Sequence, residues 1–267
     1  MKKVAFCAAA AALCGGLLAV ESANVVGYVN EGVTKGNFNA LGIPFTSVDG
    51  KGFQLNDIAG DGLYSGGTFS TSDQIWIWNP LTSGYDCWYY YTDSTHVWDG
   101  WYDQLTGEIP FETKYPNGLE PGASVWFVSH ANSSGGTATF PGAVEGAATY
   151  AVTVNQGNFN LFANPFPVAF KLNDDQVDWS GAYSGGTFST SDQIWIWNPT
   201  TSGYDCWYYY TDSTHVWDGW YDQLTGEIPF ETKYPNGLPA GSPVWYVAKG
   251  TVGAENTFDV TFTNPTK

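Results

Sequence analysis

The sequence predicts an all-β protein: two tandem antiparallel sandwich-like modules behind a short apolar leader. Three observations predict it. Aromatic and β-branched residues recur with a period of two, 32 glycines and 14 prolines supply turns for many short strands, and a long internal repeat divides the chain. Rings are abundant, with 13 Trp, 17 Tyr and 16 Phe among 267 residues, whereas only 13% of residues are charged, about half the usual ~25%. That composition excludes a disordered polyelectrolyte and a coiled coil.

The leader comes first. Lys2 and Lys3 precede an apolar run from Val4 to Val20, which is short for a membrane span and has the shape of a secretory signal. Cleavage between Ala19 and Ala23 assigns residues 1–23 to a signal peptide and the mature chain to the cell surface or the medium. Cys14 follows Leu13 rather than a small residue, a poor fit to lipoprotein processing. No later stretch is apolar for long enough to cross a bilayer.

The body is a duplication. The segment from Tyr64 to Leu119 returns from Tyr183 to Leu238, at a constant offset of 119 residues, with Leu81 against Thr200 as the single difference. Flanking similarity is weaker but ordered: "GNFNALGIPF" at Gly36 matches "GNFNLFANPF" at Gly157, and "EPGASVWFV" at Glu120 matches "PAGSPVWYV" at Pro239. A glycine-rich and polar joint near Gly142 sets the modules at 24–142 and 143–267.

Within a module the strand signals follow in order. "VVGYVN" at Val25, "QIWIWN" at Gln74, "YDCWYYY" at Tyr85 and "SVWFV" at Ser124 read as strands, as does "FDVTF" at Phe258. Asn79 to Gly84 reads as a hairpin connection. No amphipathic helix of ten or more residues is visible beyond the leader. In "QIWIWN" the isoleucines share one face and Trp76 and Trp78 the other, so both faces are apolar. A half-exposed strand would alternate apolar with polar. The second face therefore requires a cover: the loop from Trp98 to Pro116, the sister module, another chain or a ligand.

Nine Lys and no Arg against 26 Asp and Glu give a net charge of −17, which argues against nucleic acid and anionic membranes as partners. Trp76, Trp78, Trp88, Trp98 and Trp101, with copies Trp195, Trp197, Trp207, Trp217 and Trp220, form a candidate carbohydrate platform, with Asp99 and Asp218 among the acceptors for sugar hydroxyls. Asp93, Asp99, Asp103, Glu108 and Glu112 are candidates for calcium ligation or an acid/base pair, but their spacing lacks the alternation of a calcium loop and they read as solvated turn residues. His96 and His215 are candidate partners of Asp99 and Asp218, but no activated serine or cysteine motif accompanies them. No catalytic, metal or cofactor set is expected. Cys87 and Cys206 are the two thiols left after cleavage and a candidate disulfide, although buried free thiols are the default.

The order "NVVGYVN", "GNFN" to "NPF", "IWIWN" and "PGASVWFV" resembles that of uncharacterised secreted bacterial tandem β-repeat proteins, related in pattern to adhesin-like surface proteins. The resemblance covers nearly all of the mature chain. It implies architecture and carries over no catalytic or ligand residues. The function expected is thus a non-enzymatic structural or adhesive one, through aromatic contacts between modules or with other extracellular protein chains. An extracellular carbohydrate-binding module for polysaccharide is the alternative.

Overall fold

In a computed structural model, which describes residues 26–58, 63–198, 200–250 and 257–267, strands dominate and the chain builds four antiparallel sheets that pair into two β-sandwiches. The first half supplies β1 (Val26–Val33), β2 (Phe38–Gly42), β3 (Phe45–Thr46), β4 (Gln74–Asn79), β5 (Gly84–Tyr91), β6 (Gly100–Asp103), β7 (Ser124–Val128) and β8 (Gly136–Val144). The second supplies β9 (Thr149–Asn155), β10 (Phe159–Ala163), β11 (Val177–Asp178), β12 (Gln193–Asn198), β13 (Gly203–Tyr210), β14 (Gly219–Asp222), β15 (Pro243–Val247) and β16 (Thr257–Thr263). Each large sheet has five strands, in the order β2-β7-β4-β5-β6 and β10-β15-β12-β13-β14. Each small sheet has three, β1-β8-β3 and β11-β16-β9. The leader, 1–23, lies outside the described residues.

The strand signals in the sequence fall on β1, β4, β5, β7 and β16. β8 runs two residues past the joint expected at Gly142, pairing Gly142 with Gly27 and Ala143 with Val26, so the chain passes between sandwiches at 145–148. The β4–β5 hairpin aligns Asn79 with Gly84 and closes through four residues, with Ser83 at a φ of 49° supplying the left-handed step the turn requires. The helices in the described residues are short. The single turns α1 (Phe111–Lys114) and α2 (Phe230–Lys233) hold one buried phenylalanine each.

Register decides which rings go inside. Ile75 pairs with Trp88 on the inner face of the large sheet, and Trp76 pairs with Cys87 and Trp78 with Tyr85 on the outer face. Ile75 and Trp88 are almost fully buried, and Trp88 meets Phe111 edge to face at 5.3 Å. The loop after β6 thus covers the inner face. Asp86 fastens it by accepting hydrogen bonds from Lys114 and from the Tyr115 hydroxyl at 2.7 Å. Asp205, Lys233 and Tyr234 repeat the clamp. Lys114 keeps the Asp86 carboxyl below its usual range despite partial burial.

The two cores differ at one edge. The first small sheet is completed by β3, the second by β11, whose "VDW" run carries Trp179 into the core. There it stacks on Tyr246 at 6.0 Å and donates its indole N–H to the Leu172 carbonyl at 2.7 Å. Asp73 and Asp192, both buried, each accept backbone N–H groups from two separate segments and so pin loops that lack sheet partners.

Trp101 and Trp220 stand at matching points of the two cores and are fully buried. Replacing either by alanine is expected to cost about 3–5 kcal/mol, the range for emptying a large aromatic site. Chemical denaturation followed by far-ultraviolet circular dichroism checks this, and a loss below about 1 kcal/mol would contradict the packing described.

Candidate functional site

The ten indoles proposed as one platform fall into three separate environments. Trp88, Trp101, Trp207 and Trp220 are core residues at most 2% exposed. They touch no surface that a sugar reaches, which corrects their place among the ligand-binding candidates. Trp101 and Trp220 fall in the sequence within an aromatic loop but stand on β6 and β14, and alternation along β5 and β13 does not show that the face of Trp88 and Trp207 points inward.

Trp76, Trp78, Trp195 and Trp197 are half-buried on the outer faces of the large sheets, and part of this surface meets the sister module. Trp78 packs edge to face on Trp245 at 5.3 Å, and Trp126 packs on Trp197 at 6.0 Å. Trp78 and Trp197 are sequence equivalents, as are Trp126 and Trp245, so each contact is the other with the modules exchanged. The backbone repeats this reciprocity. Gly42 N–H donates to the Gly241 carbonyl at 2.7 Å, and Ala163 N–H, at the position equivalent to Gly42, donates to the Gly122 carbonyl at 2.8 Å. A Cβ at Gly42 would collide with the Ala163 side chain, so this approach needs glycine on one side. The contact is isologous, the form found in twofold dimers, here within one chain.

Trp98 and Trp217 form the third environment, 62% and 61% exposed. Trp98 lines a cleft of about 440 Å³ with Tyr89, Tyr91, Tyr102, Glu108 and Pro110. Tyr91 and Tyr102 stand at right angles there, with ring centres 6.0 Å apart, and Tyr210 and Tyr221 repeat the pair at 6.1 Å. Val97, Leu105 and Ile109 are also exposed, as are Val216, Leu224 and Ile228. Each module thus carries an apolar tip of the same composition, a feature the sequence offers only as "THVW" and "DQLTGEIP" turns.

The aspartates of these tips are used by their own turns. Asp103 accepts from the backbone of Leu105, Thr106 and Ile109 and from the Thr106 hydroxyl. Partial burial opposes ionisation, but these donors outweigh it and hold the carboxyl down to about 2. Asp93 caps Thr95 in the same way. Asp99 accepts from Asp93 N–H and meets the His96 ring at 2.8 Å; Asp218 and His215 do likewise. The histidine–aspartate pairs expected from the sequence are therefore formed, as loop braces in which His96 and His215 hold a left-handed φ of 56°. Among the described residues no group of three or more acidic, histidine or cysteine side chains is placed to hold a metal, and no helix is long and apolar enough to cross a membrane.

Cys87 and Cys206 are free thiols, so the candidate disulfide is not formed. Each lies on the half-buried outer face of its sheet and donates weakly to a tyrosine carbonyl two residues back at 3.9 Å. Burial, followed by the neighbouring Asp86 or Asp205 charge, pushes both thiols up to about 11. They are protonated at neutral pH and poor nucleophiles.

The hydrogen bond and charge of Asp99 and Asp218 raise the His96 and His215 rings above their ordinary value. A raised folded-state value means that the bracing is complete below about pH 6.5 and fades as pH rises through that higher value. Proton NMR titration should give midpoints above ~6.5 for both rings and a return toward ~6.5 for His96 in Asp99→Asn; an unchanged midpoint in the variant would contradict the pairing. No known protein family, curated protein or solved structure matches this chain.

Proposed function

We propose that the protein is a non-enzymatic extracellular adhesive or structural protein, exported by its leader, in which two sandwiches held together through their aromatic faces display the same apolar tip twice. One observation carries this reading. Trp98, Leu105 and Ile109, with Trp217, Leu224 and Ile228, leave large apolar side chains in water at equivalent places, and exposed apolar surface of this kind marks contact sites. The aspartates and histidines around the tips are occupied with turn geometry, which supports contact rather than chemistry. Two tips on one chain engage a repetitive surface together, and such bivalency raises apparent affinity by ~10²–10⁴ over a single tip.

Carbohydrate binding is the second reading. It is favoured by the exposed Trp98 indole, which lines a cleft with tyrosine and glutamate side chains and has an equally exposed copy in Trp217, a composition suited to the apolar face and hydroxyls of a sugar.

The double variant Trp98→Ala with Trp217→Ala distinguishes these. Under the adhesive reading, sedimentation at rising concentration shows association of the native chain that the variant loses, with no retention of either on polysaccharide gels. Native protein that stays monomeric and is retained on a gel, with the variant released, replaces the first reading by the second.

The docked faces carry their own expectation. Trp78→Ala together with Trp126→Ala should enlarge the radius of gyration in small-angle scattering while leaving strand content unchanged. An unaltered radius would show that the tryptophan contacts do not hold the modules together.

A further inference from the structure

The contact between the modules is reciprocal in its tryptophan pairs and unequal at its two sides. On the side of Trp78, direct hydrogen bonds join the modules. The Trp78 indole N–H donates to the Phe159 carbonyl at 2.6 Å, the Ser83 hydroxyl donates to the Asn158 amide oxygen at 3.2 Å, and the Asn158 amide donates to the Pro80 carbonyl at 2.9 Å. On the other side the equivalents are Trp197, Phe38, Ser202 and Asn37. There the bonds from Trp197 to Phe38 and from Ser202 to Asn37 are not made, and a cleft of about 470 Å³ opens between the same residues. That volume lies within the range of small-molecule sites.

A substitution between the halves accompanies the difference. Gly122 and Gly241 are equivalent, both with positive φ at the module contact. Val152 lies over Gly122 and Glu31, at the matching position, lies over Gly241. A carboxylate therefore stands where its counterpart is an aliphatic side chain. Among the described residues it has no cation partner, and burial raises its proton affinity. A lone half-buried carboxylate destabilises a docked surface, so valine is the better choice for contact alone.

We propose that the cleft on the Trp197 side binds one pyranose sugar unit per chain. The apolar face of the ring lies on the Trp197 indole and its hydroxyls bridge Glu31, Asn37 and Ser202. The chemistry of the wall selects this class. Glu31 only accepts, the Trp197 N–H only donates, and Asn37 and Ser202 do both, a mixture that suits hydroxyls, which donate and accept at once. An anion is repelled by Glu31, and a purely apolar guest leaves every one of these groups without a partner. The sugar takes the place of the direct bonds that close the Trp78 side. The site is separate from the Trp98 and Trp217 tips and does not depend on what they bind.

Isothermal titration of the full chain with glucose, galactose, mannose and N-acetylglucosamine, each to about 10 mM, tests it, because a Kd of about 1 mM is saturated over that range. The expected result is saturable binding of at least one sugar at one site per chain, with a matching change in tryptophan fluorescence. Trp197→Ala and Glu31→Val should each weaken that binding at least tenfold. Glu31→Val copies Val152 and should unfold at a higher temperature than the native chain, so its loss of binding is not a loss of fold. The titrations are made in the Trp98→Ala with Trp217→Ala background, so that sugar held at the tips is not counted and cleft binding is read alone. No saturable binding by any of the four sugars, two sites per chain, or unchanged affinity in Glu31→Val overturns the proposal.

Discussion

The structure depends on one constraint: the central hairpin of each large sheet carries rings on both faces, and each face has to be removed from water by a different means. Inside, Ile75 and Trp88 are sealed by the small sheet and by a loop tethered through Asp86, Lys114 and Tyr115. Outside, Trp76 and Trp78 have no loop of their own to cover them. The sister module meets part of that surface, and because both modules carry the same residues, the contact that satisfies one satisfies the other. An aromatic pair of this kind contributes about 0.5–1.5 kcal/mol beyond its buried area, and the reciprocal arrangement makes each such pair count twice.

The fold was legible in the residues that alternate. Gln74 to Asn79 and Tyr85 to Tyr91 specify strands, partners and register almost without reference to the rest of the chain, since a one-residue slip would exchange isoleucines for tryptophans across the sheet. The duplication was legible because it is nearly exact. Which face points inward was not, since both are apolar: Trp88 and Trp101 look the same in sequence as Trp76 and Trp98, and only the position of the small sheet and of α1 separates them. The short strands β3 and β11 were hidden for a related reason, as two residues carry no period.

The candidate site was legible in its ingredients more than in its arrangement. His96 with Asp99 sits within one turn and could be paired from spacing alone. The tips around Trp98 and Trp217 combine residues from β5, β6 and the following loop, and their assembly depends on Asp103 folding that loop back through four hydrogen bonds. Glu31 gave no signal at all. A single glutamate in a polar strand is ordinary until its counterpart is seen to be Val152 and its neighbour to be the backbone of the other module.

The near-identity of the two halves has a consequence for how the chain reaches this state. The β4–β5 hairpin and the β12–β13 hairpin match residue for residue apart from Leu81 and Thr200, so either one fits the opposing β7 or β15 edge sterically, and exchange of hairpins between halves, or between neighbouring chains, is a competing route during folding. Two features oppose it. Each hairpin closes through four residues, so its own strands meet long before distant ones. The flanking elements have diverged, with Gly42 against Ala163 and β3 against β11, so a misplaced hairpin finds its central neighbours in order and its outer ones mismatched. Divergence at the margins gives the repeated centre an address.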